Sequence, residues 1–153
     1  MKRKAIFAML VGGLFFTTAC SSDDDSSSSN TTVDEVVDTV TAGTWRITSY
    51  IDSGQDETTD FSGYNFTFGS TNVLTATNGT NTYEGVWTVT NDDSTDDSPS
   101  NDIDFDLFFS APVTFADLSD DWDILERTST KIRLVDVSGG DGDTDYLTFE
   151  KNN

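Results

Sequence analysis

The side chains that could do chemistry in this sequence are almost all carboxylates. It carries 28 Asp and Glu against 8 Lys and Arg, one cysteine (Cys20) and no histidine. Histidine-based triads, histidine-ligated metals and Cys-rich zinc sites are therefore excluded, as is a disulfide framework, which needs cysteines in pairs. No Gly-x-Ser-x-Gly nucleophile elbow occurs. Glycosidases use two carboxylates about the scissile bond, and a chain this acidic always offers pairs. Here, however, the carboxylates fall in turns or alternate with apolar residues, so they read as solvated positions rather than catalytic ones. The expectation is no enzyme and no cofactor. Asp141, Asp143 and Asp145 present oxygens at alternate positions, as calcium loops do, but without the glycine and glutamate that complete an EF-hand. They are a weak calcium candidate and read more simply as a hairpin loop, like the second acidic run Asp92, Asp93, Asp96 and Asp97. The net charge of −20 repels phosphate, which excludes nucleic acid as a partner.

The cysteine is the exception among these groups. Lys2, Arg3 and Lys4 make a basic start, Ala5 to Phe16 an unbroken apolar or glycine stretch, and Thr17, Thr18 and Ala19 lead into Cys20. This is the layout of a signal peptide, too short for a transmembrane span of ~20 residues. The junction resembles a bacterial lipobox, which implies cleavage after residue 19, lipidation of Cys20 and attachment to the membrane through acyl chains alone. Each buried methylene contributes about 0.8 kcal/mol, so two or three chains hold stably. Loss of the leader takes three of the eight cations and leaves a net charge of −23. Residues 20–32 continue as SSDDDSSSSNTT after the cysteine, with no apolar residue to offset ordering entropy, and read as a flexible tether. Asp23, Asp24 and Asp25 resemble the export signal that carries lipoproteins of the Bacteroidota to the outer face of the outer membrane; a solvated spacer on the periplasmic side is the alternative.

Residues 33–153 must then supply a single domain. Val33, Val36, Val37 and Val40 recur at helical spacing and give a short amphipathic helix ending near Gly43. Beyond it the period becomes two. Trp45, Ile47 and Ile51 share a face of the first strand; Tyr64, Phe66 and Phe68 mark the second; Val73, Thr75 and Thr77 a third; Tyr83, Gly85, Trp87 and Val89 a fourth. Ile103, Phe105, Leu107 and Phe109 alternate with Asp104 and Asp106 in the fifth, where a one-residue slip would bury carboxylates. Residues 122–127, 131–137 and 146–151 supply three more, and 111–121 leaves room for a turn of helix or a lid. Eight short strands in hairpin order favour an all-β, antiparallel up-and-down barrel with a short N-terminal helix, the runner-up being a β-sandwich.

Gly43-Thr44-Trp45 at the start of the first strand resembles the Gly-x-Trp opening of lipocalin and related calycin barrels. With Phe61 to Phe68, Gly85-Val86-Trp87, Trp122 and the ending Tyr146 to Lys151, the domain resembles small lipocalin-like lipoproteins of the Bacteroidota. It departs from lipocalins in placing Thr144-Asp145-Tyr146 before the last strand and in offering only Lys151 where they have an arginine against the tryptophan. The resemblance implies an eight-stranded barrel that binds a small hydrophobic ligand. The candidate inner face is Trp45, Tyr64, Phe66, Phe68, Trp87, Phe105 and Phe109, with Tyr64 or Tyr83 as polar contacts. The competing expectation is a solid barrel whose exterior contacts an envelope protein or a glycan, with exposed aromatics on the loops 55–63 or 111–122.

Overall fold

The computed structural model describes residues 32–91, 103–137 and 143–153. Cys20 with its leader and the tether up to residue 31, the run Asp92 to Asp97, and Asp141 lie outside them. The helix α1 spans Val33–Thr41. It starts on a capping box: Thr32 Oγ1 accepts from Glu35 N at 3.3 Å and Glu35 Oε2 accepts from Thr32 N at 3.4 Å, satisfying two of the free amides at the helix start. Val36 and Val40 are fully buried, so tertiary docking compensates for valine's modest helix propensity. Gly43, at φ +106°, turns the chain into the barrel.

The strands are β1 (Trp45–Asp52), β2 (Gln55–Asp56), β3 (Asn65–Phe68), β4 (Val73–Thr77), β5 (Thr82–Asn91), β6 (Ile103–Phe108), β7 (Asp121–Arg127), β8 (Lys131–Val137) and β9 (Thr144–Lys151). A 3-10 turn covers Thr58–Phe61, and a one-turn helix, α2 (Val113–Ala116), lies between β6 and β7. All neighbours are antiparallel. β1 pairs with β9 from Trp45 opposite Lys151 to Ile51 opposite Tyr146. That pairing closes β1 and β3 to β9 into an eight-stranded up-and-down barrel and removes the sandwich alternative. The two-residue β2 folds back on the end of β1, a hairpin too short for periodicity to reveal.

Two strand faces differ from the sequence pattern. A register shift between Ile47 and Ser49 inserts an extra residue into β1, so Tyr50, not Ile51, follows Trp45 and Ile47 into the core. In β4 the buried residues are Leu74 and Ala76, which leaves Val73, Thr75 and Thr77 outside. The β1–β3 seam is held by a single ladder pair, Trp45 opposite Phe66. Asn152 reinforces it: its Nδ2 donates to Thr44 Oγ1 at 3.0 Å and to Asn65 Oδ1 at 2.8 Å.

Candidate functional site

The seven inner-face candidates do converge. Phe68 packs edge-on against Trp87, Phe105 and Phe149, with ring centroids 5.4 to 5.6 Å apart. Phe66 meets Phe149 at 5.4 Å, and Trp87 stacks on Phe105 at 6.1 Å. Such pairs add to the burial energy of the rings. Trp45, Phe66 and Phe105 have no accessible surface at all, and Phe68, Trp87 and Phe109 at most 2 %. A void wide enough for a ligand would leave its lining rings with accessible surface, so these six rings fill the space they enclose. Tyr64 lies just outside β3 and is half-buried.

Each end of the barrel has its own closure. At one end α1 is fixed by Trp45 Nε1 donating to Val40 O at 2.8 Å, and by Arg127, which reaches Thr39 Oγ1 and Glu35 Oε2 at 3.0 Å each. Lys151 Nζ stands 5.5 Å over the Trp45 ring. At the other end α2 inserts Phe115 among Phe61, Tyr64, Phe66, Tyr83 and Phe109, with centroids 4.8 to 6.1 Å away. The segment is tied down by Tyr50 Oη donating to Asp117 O at 2.6 Å and by Trp122 Nε1 donating to Leu118 O at 3.1 Å. Burial holds the Tyr50 phenol protonated, as that donation requires. Tyr83 stacks on Tyr64 at 5.9 Å, and a hydrogen bond shared with Tyr64 raises its phenol first, burial second. Phe61, Phe115 and Trp122, the aromatics of segments 55–63 and 111–122 whose exposure would favour an exterior contact there, all turn inward with at most 2 % exposure, which counts against those two segments as the contact surface.

Of the acidic loop candidates, only Asp143 and Asp145 fall among the described residues. Asp145 accepts a 2.7 Å hydrogen bond from Ser53 N and so caps the β1–β2 turn. Asp143 is exposed just before β9. A different trio comes together instead: Asp120, Asp121 and Asp136, with carboxylate oxygens within 4.8 Å of one another. Burial, then a hydrogen bond with Asp121, then the charge of Asp136, push the Asp120 carboxyl up to about 6. Three carboxylates supply only part of the roughly six to eight oxygens calcium takes. Residues 120 and 121 adjoin in sequence, but only the β6–β7–β8 pairing brings Asp136 to them.

The exterior is divided by charge. Between Ile47 and Glu126 lie 80 residues with 17 carboxylates and no Lys or Arg. The five cations beyond the leader, Arg46, Arg127, Lys131, Arg133 and Lys151, all stand on β1, β7, β8 and β9. Four of them face carboxylates: Arg46 to Glu150 at 3.2 Å, Arg127 to Glu35 at 3.0 Å, and Lys131 and Arg133 to Glu126 at 2.9 and 3.6 Å. Lys131, the largest influence, holds Glu126 below the usual carboxylate range. Arg46, Lys131, Lys151, Glu126 and Glu150 line a polar groove of about 510 Å³.

Exposed large apolar side chains are spread over the barrel, Leu125, Val137 and Tyr146 on β7, β8 and β9 and Val113 on α2 among them, but three on the opposite face are direct neighbours. Val73 lies opposite Val86, and Val86 opposite Phe108, in one row across β4, β5 and β6. They are 38 %, 49 % and 56 % exposed, and with Glu84, Gly85 and Ser110 they line a groove of about 330 Å³. Gly85 makes this geometry possible: a Cβ there would lie 2.4 Å from the Phe108 carbonyl oxygen and 2.8 Å from the Phe109 ring. Phe109 thus takes the inward space that Gly85 leaves free, while Phe108 stays outside.

No family profile matches the sequence, and no curated protein matches it. Among solved structures, a crystal structure of a DUF4847 family protein from Bacteroides vulgatus is similar, with a TM-score of 0.47 and 17 % identity, over 76 % of this chain and 97 % of that one.

Proposed function

We propose that this protein is a lipoprotein of the cell envelope, anchored by acyl chains on Cys20 and displayed on the outer membrane. Its barrel acts through its exterior, as an interaction module for an envelope protein. The observation that carries this reading is the filled interior: the wall rings have at most 2 % exposure and pack on one another, so the surface left for recognition is outside. Lys151 over Trp45 stands where the lipocalin pattern places an arginine, which supports kinship of architecture without an inherited ligand. A native mass spectrum of the protein purified gently from its own host tests the reading; an apo mass is expected, and a co-purifying small molecule at near-stoichiometric level overturns it. Loss of membrane attachment and of palmitate labelling in Cys20→Ser tests the anchor, and protease accessibility on intact cells tests display.

A second reading has one observation in its favour. Phe115 is delivered into its aromatic cup by the β6–β7 segment rather than by the barrel wall. A small hydrophobic ligand could be accommodated by displacing that ring alone, leaving Tyr64 and Tyr83 at its rim as polar contacts. A stoichiometric ligand in the same spectrum, released by Phe115→Trp, is the result this reading requires.

A further inference from the structure

Resting on the second of those readings, in which a small ligand takes the place of Phe115, we propose that residues 110–116 form a flap over the barrel mouth and that the cup beneath it takes one planar aromatic ring bearing a hydroxyl group. The two ends of the barrel are closed in different ways. At the α1 end, Val36 and Val40 have no accessible surface, and three side-chain hydrogen bonds from Trp45 and Arg127 hold the cover in place. At the other end Phe115 is the one buried side chain of residues 110–117, and Val113, two residues before it, is 79 % exposed.

The base of this flap is fixed and its body is not. Phe109 N donates to Ser119 Oγ at 2.8 Å, and Ser119 Oγ lies 3.3 Å from Phe109 O, to which it donates in turn, so the two ends are pinned to each other. Tyr50 and Trp122 hold the Asp117 and Leu118 carbonyls just beyond it. Among the described residues, the hydrogen bonds of 110–116 stay within the segment: Phe115 N and Ala116 N donate to Pro112 O, Asp117 N to Val113 O, Leu118 N to Phe115 O and Ser119 N to Ala116 O. The turn therefore swings about a closed base with a single side chain to withdraw from the core. A surface loop with joined ends and one anchoring residue has the build of a lid.

The ring now seated in the cup defines what fits there. Phe61, Tyr64 and Phe109 stand edge-on to Phe115 at interplanar angles of 68 to 81°, Phe66 lies over it at 30° and Tyr83 is tilted at 52°. These are edge-to-face and stacked contacts that a saturated ring or an alkyl chain of the same volume does not make. Tyr64 and Tyr83, half-buried and hydrogen-bonded to one another, place two phenols beside the cup for the hydroxyl of an incoming ring.

The test titrates the protein with phenol and with cyclohexanol, followed by amide chemical shifts. Phenol should saturate the wild type, with shifts centred on residues 110–116, Tyr64 and Tyr83, and cyclohexanol should bind at least about tenfold more weakly. Phe115→Ala empties the cup and should tighten phenol by about tenfold or more, because binding no longer waits on the open fraction of the flap. Replacing both phenols, by Tyr64→Phe with Tyr83→Phe, should weaken it. Phenol binding by Phe115→Ala alone overturns the proposal, since that variant then holds only an engineered hole. Equal affinity for the two compounds, or indifference to the loss of both phenols, also overturns it. A larger ligand at near-stoichiometric level in the native mass spectrum, with phenol inert on the wild type, rejects this cup alone; an apo mass with no saturable binding of either compound rejects the ligand reading beneath it.

Discussion

The two faces of β6 obey opposite rules on the same six residues. Inward, Ile103, Phe105 and Leu107 are at most 6 % exposed and contribute to one aromatic-rich core. Outward, Asp104 and Asp106 confront the aspartates of β7, and Phe108 projects into solvent beside Val86. Inside, every side chain is held by its neighbours, so packing energy dominates. Outside, Asp104 and Asp106 stand opposite Asp123 and Asp121, Asp106 also accepting a hydrogen bond from Thr88, and Val73, Val86 and Phe108 remain exposed. The contrast places the packing that stabilises the barrel on one face and leaves charge and apolar exposure on the other.

The largest effect expected is on the inner face. Phe68→Ala removes the ring that touches Trp87, Phe105 and Phe149 and should destabilise by about 3–5 kcal/mol in urea unfolding. If the loss is under about 1 kcal/mol, the interior is looser than these contacts imply and the ligand reading gains. Gly85→Ala should cost about 1–3 kcal/mol, because its Cβ can be fitted only by moving the Phe108 backbone or the Phe109 ring. The same variant should shift the amide signals of the outer row, since Gly85 links the two faces.

A pH effect is expected next to the acidic face. The folded-state pKa of Asp120, about 6, lies above its unfolded value of 3.8. Its contribution to stability is therefore full below about pH 4 and lost as pH rises through about 6. Melting temperature should fall across that window in the wild type and fall less in Asp120→Asn. Parallel curves for the two proteins would show that Asp120 is not shifted by its burial and its neighbours. The smallest effect belongs to the outer face: Phe108→Ser should change unfolding free energy by no more than about 0.5 kcal/mol. A large loss there would mean that the row is structural, and would break the contrast.

Much of the barrel was legible in the residues. Alternation located β5, β6 and β8 and the inward set Phe66, Phe68, Trp87, Phe105 and Phe109, because burial on a pleated sheet imposes a period of two. The bulge in β1 was not legible, since one inserted residue changes register without changing composition; Tyr50 and Ile51 are both plausible core residues locally. The inward turn of Phe115 was hidden for a similar reason: a loop aromatic looks the same whether it plugs the barrel or faces solvent. The apolar row was missed because Val73, Val86 and Phe108 are separated by 13 and 22 positions, although the 80 residues without a cation were in plain view.

The sequence by itself determined the strand periodicity, the amphipathic helix and the acidic character, because these follow from residue type and short-range spacing. Only the tertiary structure decided which residues meet. Closure of β1 on β9 fixed the register around the ring; that register set Asp104 and Asp106 against Asp123 and Asp121 and aligned Val73, Val86 and Phe108. Cross-strand neighbours depend on hydrogen-bond register over the whole barrel, a long-range quantity that no local stretch of the chain encodes.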